Sequence, residues 1–292
     1  MELTFTKMNG LGNDFIFIED LDEQWDLSPE AVAWLCDRHF GIGADGVILV
    51  RPSTDTAADL YMHYFNADGS LAEMCGNGAR CFAKYLVDHG LVPEDRESLT
   101  IDTLGGLKPV TFTRDYDGLL HTATVDMGVP VFDPALLPST FEGTQVYQCP
   151  VKTPYGTYEV TGVSMGNPHA IIWVDDVDTA PVETVGAFIE TCDLFPKGTN
   201  VEFAQLVDDE TIRLRVWERG VGETLACGTG ACATLVAGTL SCFTGRHATI
   251  ELPGGELFIR WHGDDHVYMT GSAAEVFSGS IVVPEEDGEA GS

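Results

Sequence analysis

The chain has 292 residues with 15 basic against 46 acidic side chains, a formal net charge of −31, and is long enough for one large domain or two of ordinary size. So acidic a surface repels phosphate backbones and anionic lipid, which argues against nucleic acid or a membrane as partner. It reads instead as a solvated acidic shell that keeps a protein dissolved at high salt, so a halophilic source is expected.

The start, Met1 to Lys7, lacks the charged-then-apolar layout of a leader, and no apolar run approaches membrane-spanning length, so a cytoplasmic location is expected. Leu3 to Phe5 and Phe15 to Ile18 read as strands around the Gly-rich turn Asn9 to Asn13. Ser28-Pro29-Glu30 supplies an N-cap and a first-turn proline for a helix through Ala31, Trp34, Leu35 and His39, ending at Gly41. Val47 to Val50 and Leu60 to Phe65 are further strands. After the turn Asn66 to Ser70 comes Glu73-Met74-Cys75-Gly76-Asn77-Gly78-Ala79-Arg80-Cys81, then a largely enclosed helix from about Gly78 to His89, stopped by Gly90.

Short strands follow from Leu99 to about Val125, and the second half repeats the plan. Gly166-Asn167 before Ile171 to Asp175 echoes Gly12-Asn13 before Phe15 to Glu19 at a spacing of 154, and Val201 follows Val47 by the same 154. Cys227 follows Cys75 by 152, and Glu218 precedes Cys227 by the nine residues that separate Asn66 from Cys75. A nearly constant offset through unlike signals argues for two copies of one unit. The fold expected is α/β: two pseudo-symmetric halves, each a curved, mostly antiparallel sheet wrapped around a central helix, with the active site in the cleft between them. Residues 1–125 form the first half, with a strand at about 276–284 returning to it. Residues 126–275 form the second half, and 285–292 an acidic tail with nothing to bury, expected to be disordered.

The two cysteine stretches carry the chemistry. In Ala226-Cys227-Gly228-Thr229-Gly230-Ala231-Cys232, as around Cys75, a thiol precedes a Gly-polar-Gly-Ala turn that opens a helix. Free N–H groups and the positive helix end there favour both a thiolate and a bound carboxylate. Two thiols facing one carbon from opposite sides could remove a proton and replace it. Other readings are weaker. Gly41 to Gly46 and Gly228 to Ala233 fit dinucleotide fingerprints but lack the strand-turn-helix setting, and spacings of five and four residues among Cys75, Cys81, Cys227 and Cys232 do not suit a metal. Cys81 and Cys232 read as small buried residues on their helices.

Six blocks, Lys7 to Phe15, Phe65 to Ser70, Met74 to Arg80, Gly166 to His169, Asn200 to Phe203 and Glu218-Arg219-Gly220 with Ala226 to Cys232, resemble the diaminopimelate epimerase family in order and interval. The resemblance implies a cofactor-independent, metal-free epimerase that interconverts LL- and meso-diaminopimelate on the way to lysine, acting on a small molecule. A homodimer is compatible with the sequence. It makes Cys75 and Cys227 the acid and base. Gly76, Asn77, Gly228 and Thr229 become donors to the reacting carboxylate, and Asn13, Asn66, Asn167, Asn200, Glu218 and Arg219 holders of the amino and carboxyl groups. His169 and Glu218 would bias thiol protonation. Gly46 departs from the pattern, since many relatives carry a substrate-reaching Gln there. A proline or hydroxyproline racemase and a binding protein with a dead site are the competing readings.

Overall fold

The structure is a computed structural model that describes residues 2–284. The acidic tail at 285–292 lies outside the described residues. The fold is a sheet-dominated mixed α/β one with few helices, and the chain divides into two compact units, Met1–Ala123 with Ser272–Ser292, and Thr124–Gly271.

In the first unit, β1 (Glu2–Gly10) and β2 (Asn13–Glu19) form an antiparallel hairpin. Its two loop residues, Leu11 and Gly12, both take positive φ, 63° and 87°, the backbone that suits the strand twist in a two-residue turn. Helix α1 (Pro29–Cys36) follows, with Ser28 Oγ accepting from the Ala31 N–H at 3.2 Å. Strand β3 (Gly46–Arg51) pairs parallel with β2, and β4 (Leu60–Asn66) antiparallel with β3. Helix α2 (Gly76–Asp88) leads to β5 (Ser98–Asp102), parallel to β4, and β6 (Lys108–Arg114), antiparallel to β5. Strand β7 (Leu120–Asp126) contains the boundary between the units. The last strand of the chain, β17 (Ala274–Val282), pairs antiparallel with β1.

Both faces of this sheet are covered, which is why Phe15 to Ile18 and Val47 to Val50 are continuous apolar runs instead of alternating ones. Ile16, Ile18, Val47 and Leu49 pack with Val32 and Leu35 of α1. Phe17 points the other way, against Phe82 and Tyr85 of α2. The helix expected to reach Gly41 stops at Cys36. Asp37 turns extended (ψ 123°), and its carboxylate accepts from the N–H groups of His39 at 2.7 Å and Phe40 at 2.9 Å. An aspartate that satisfies nearby backbone donors in this way competes with the helix for them.

In the second unit, β8 (Cys149–Thr153) and β9 (Gly156–Ser164) form a hairpin, and β10 (Pro168–Trp173) pairs antiparallel with β9. A π-helical turn, Val182–Gly186, runs into the short helix α3 (Ala187–Glu190). Strand β11 (Asn200–Asp208) is parallel to β10, β12 (Thr211–Glu218) antiparallel to β11, and β13 (Gly222–Thr224) antiparallel to β12. Helix α4 (Gly228–Leu240) leads to β14 (His247–Leu252), parallel to β12, then β15 (Gly255–Trp261) and β16 (Val267–Gly271), each antiparallel to the strand before. Val182, Val185, Ile189 and Phe195 cover Ala170, Ile172, Val201 and Phe203. Helix α4 packs against β9, β10, β11, β14, β15 and β16. Its buried residues, Ala231, Cys232, Ala233, Leu235, Val236 and Ala237 among them, lie all around it, as a helix without a polar face requires.

Candidate active site

Cys75 is the N-cap of α2, with extended backbone (φ −136°, ψ 120°), and its Sγ accepts from the Gly78 N–H at 3.5 Å. Gly76 and Asn77 are the first two helical residues, so their N–H groups are among those with no partner inside the helix. Asn13 stands at the start of β2, and its Oδ1 lies 3.6 Å from Cys75 Sγ and accepts from Asn77 Nδ2 at 3.2 Å. Asn13 Nδ2 in turn donates to Asp45 Oδ2 at 2.7 Å. The same carboxylate takes the Asp14 N–H at 3.1 Å and Arg38 Nη2 at 2.8 Å.

Asn66 ends β4, where Gly46 pairs with it across β3 and β4, and its Nδ2 donates to Ser70 Oγ at 3.0 Å. Asn13, Gly46 and Asn66 therefore mark one end of three neighbouring strands. A Cβ on Gly46 would sit 2.4 Å from the Phe65 carbonyl oxygen and 2.6 Å from the Tyr64 ring. The absent Gln of the family pattern thus has a local cause: β4 and Tyr64 already occupy the space a side chain would need.

The second unit builds a related site with different electrostatics. Cys227 is the N-cap of α4 (φ −125°, ψ 108°) and is 4% exposed, where Cys75 is half-buried. Its sulfur lies 3.6 Å from Thr229 Oγ1, which also accepts from Asn167 Nδ2 at 3.2 Å. Asn167 Oδ1 faces His169 Nε2 at 3.0 Å, and His169 Nδ1 faces Glu202 Oε1 at 2.6 Å. Each ring nitrogen thus has a polar partner. Glu218 ends β12 against Cys227 and accepts from Thr224 Oγ1 at 2.5 Å.

Burial raises the Cys227 thiol well above the ordinary cysteine value, and the neighbouring Glu218 and Glu202 push it further the same way. Burial likewise raises the Glu218 carboxyl, against the pull of its bonds to Thr224 and Cys227. The protonated thiol is accordingly the resting form of Cys227. Gly228 and Thr229 occupy the first turn of α4, with open N–H groups.

Asn200 and Arg219 bind each other: Asn200 Oδ1 accepts the Arg219 N–H at 2.9 Å, and Asn200 Nδ2 donates to the Pro168 carbonyl at 2.8 Å. Asn200 is thus engaged with backbone, while the exposed Arg219 places Nη1 3.3 Å from the Lys197 carbonyl. The first unit gathers Asn13, Cys75, Gly76 and Asn77, and the second Asn167, His169, Glu218, Cys227, Gly228 and Thr229. Sequence reasoning assigned no role to Asp45, Thr224 or Glu202. Glu202 carried a signal, because an acid in an otherwise apolar strand is buried only with a partner.

The diaminopimelate epimerase family model matches residues 5–132 and 161–276. A diaminopimelate epimerase of Pelotomaculum thermopropionicum is 48% identical over 279 residues, covering 94% of this chain and 97% of its own. The chain belongs to the diaminopimelate epimerase family. The family's blocks contain both cysteine turns and every residue of the two clusters. Among solved structures, a PhzF-family phenazine biosynthesis protein of Bacillus anthracis superposes with a TM-score of 0.69 at 16% identity, over 97% of this chain and 100% of that one. A hydroxyproline epimerase from Agrobacterium vitis gives 0.69 at 14% identity, over 96% and 92%. These likenesses establish a shared fold. Among the described residues no helix is long and apolar enough to cross a membrane.

Proposed function

We propose that this family member interconverts LL- and meso-diaminopimelate by a cofactor-independent, two-cysteine mechanism, as an enzyme of lysine biosynthesis in the cytoplasm. Cys75 and Cys227 act on opposite faces of one α-carbon, one removing the proton while the other delivers its own. The single observation that carries this reading is the recurrence, once per unit, of a helix N-cap cysteine near an asparagine where a strand begins: Asn13 against Cys75, and Asn167, just before β10, bonded to Thr229 beside Cys227.

The pairing order supports the duplication behind it. In the first unit the succession β1 to β6 runs antiparallel, parallel, antiparallel, parallel, antiparallel. The succession β9, β10, β11, β12, β14, β15 repeats it. Each unit is then one copy of a sheet wrapped around its cysteine-capped helix, and the copies are pseudo-symmetric.

The hard step is loss of a proton beside an already anionic carboxylate. The first turns that hold Gly76 and Asn77, and Gly228 and Thr229, are two helix N-terminal ends, and each end would favour that carboxylate by up to ~2 kcal/mol. About 4 kcal/mol is worth roughly a thousandfold, short of the ~10⁶-fold lower end for enzymes, so positioning and exclusion of water supply the rest. Cys227, buried among carboxylates, starts as the acid, and the two cysteines exchange roles with the direction of the reaction. Asn66, Asn200 and Arg219 serve the distal amino-acid centre, a role a proline-type substrate would not need.

Incubation with LL-diaminopimelate in deuterated water tests the reading. Deuterium at the α-carbon should appear together with the meso isomer. Turnover of proline or hydroxyproline instead, or no exchange on any of the three, would sink it.

A further inference from the structure

Glu202 has entered so far only as a neighbour of Cys227 and His169, yet it is the most deeply buried acid among the described residues. It stands on β11 two residues after Asn200 and is 0% exposed, as is His169. One oxygen, Oε1, takes the short bond from His169 Nδ1; the other, Oε2, is buried with no hydrogen-bond partner among the described residues. A carboxyl group in such a place is tolerated because it is hydrogen-bonded to the His169 ring and faces the first turn of α4, a helix's positive end. Its position relative to the thiol is fixed by a glycine. The point where a Cβ on Gly230 would sit is 2.7 Å from Glu202 Oε1 and 3.3 Å from Cys227 Sγ, so carboxylate and sulfur flank the same small gap that the missing side chain leaves.

We propose that Glu202 is a positioning residue for the reaction: a buried carboxylate that fixes the His169 ring and shares the Cβ side of Gly230 with Cys227, so that its charge bears directly on this sulfur. The inference rests on the two-cysteine reading above and deepens it by naming what makes the two thiols unequal. The groups that face Cys227 are Glu218 from β12, Glu202 from β11, and His169 from β10 through Asn167 and Thr229. Of these, Glu218 lies against the thiol, whereas Glu202 faces it across the gap beside Gly230 and orients His169. His169 donates to Asn167, Asn167 to Thr229, and the Thr229 hydroxyl is left to face the sulfur.

The test labels the cysteine β-carbons of the full chain and follows the Cys227 resonance, assigned by its loss in Cys227→Ser, through a pH titration. In Glu202→Gln the thiol should ionise at least about one pH unit lower than in the parent protein, a tenfold larger thiolate fraction at a given pH. Glu202→Asp, which keeps the charge, should titrate between the two. Superimposable titrations of parent and Glu202→Gln overturn the proposal, as does an equal shift in Glu202→Gln and Glu202→Asp, which would make the effect one of packing. Should Glu202→Gln not fold, the double variant Glu202→Gln with His169→Gln leaves a neutral hydrogen-bonded pair and is expected to show the same downward shift. An unshifted double variant counts equally against the proposal. The titration needs no substrate. An unmoved thiol with deuterium exchange intact retires only Glu202, and a moved thiol without exchange retires the reaction.

Discussion

Asn13 Nδ2 donates to Asp45 Oδ2 at 2.7 Å. That bond decides which way the Asn13 amide faces. With the NH₂ group held by Asp45, the carbonyl oxygen is left to meet Cys75 Sγ and Asn77 Nδ2. The carboxylate is itself anchored by the Asp14 N–H and by Arg38.

Asp45→Ala removes the anchor and frees the amide to rotate. A hydrogen bond to a charged group is worth about 1.5–3 kcal/mol, so kcat/KM for diaminopimelate should fall by roughly ten- to a hundredfold. Asp45→Asn, which can still accept from Asn13, should lose less. Steady-state kinetics on both variants check this, and equal losses would show that the amide orientation is not what Asp45 controls.

The cysteine pair gives a sharper expectation. General acid–base groups contribute about 10²–10⁴-fold, and in the two-base reading neither thiol can replace the other. Cys75→Ala and Cys227→Ala should each lower epimerisation by at least about a hundredfold, and the double variant little further, because the residues act as a unit. Losses that multiply in the double variant would show that the thiols work independently.

Acid stability depends on a different group. Burial alone would raise the Asp14 carboxyl, but hydrogen bonds from Arg38 and Lys7 and the charges of both prevail and hold it at about 2. Because the folded value is depressed, the stabilisation is fully present above the ordinary value of 3.8 and is lost as pH falls toward 2. Lys7 is buried, and Asp14→Asn leaves it without its carboxylate partner. The variant should lose about 3 kcal/mol at neutral pH, the low end for breaking a buried pair, and its stability should fall less steeply below pH 3.8 than the parent's. Urea unfolding across the pH range measures both.

Gly46→Gln introduces the residue that the family resemblance leads one to expect there. With the Phe65 carbonyl at 2.4 Å and the Tyr64 ring at 2.6 Å from its Cβ, the side chain has no room unless β4 shifts. Overpacking of this kind costs about 1–3 kcal/mol. Thermal unfolding should show the loss, and Gly46→Gln with Tyr64→Ala should recover part of it. A neutral single variant would mean that the close approach does not make glycine necessary.

What the sequence alone determined here is local. A cysteine before Gly-polar-Gly-Ala, a serine before proline and a turn before Asn13 or Asn167 each specify a helix start or hairpin from residues within one turn of chain, so both thiols could be placed at helix ends before any coordinates. The two-copy plan could be proposed for the same reason, since equal spacing needs no knowledge of contacts. The end of α1 was not: whether Asp37 continues a helix or caps two amides depends on where the chain goes next. Only the tertiary structure decided that Asp45 turns Asn13, that Glu202 pairs with His169 beneath Cys227, and that Tyr64 fills the space beside Gly46. Those partners stand on neighbouring strands, and cross-strand neighbours follow from register, which a linear sequence does not state and a shift of one residue would reverse.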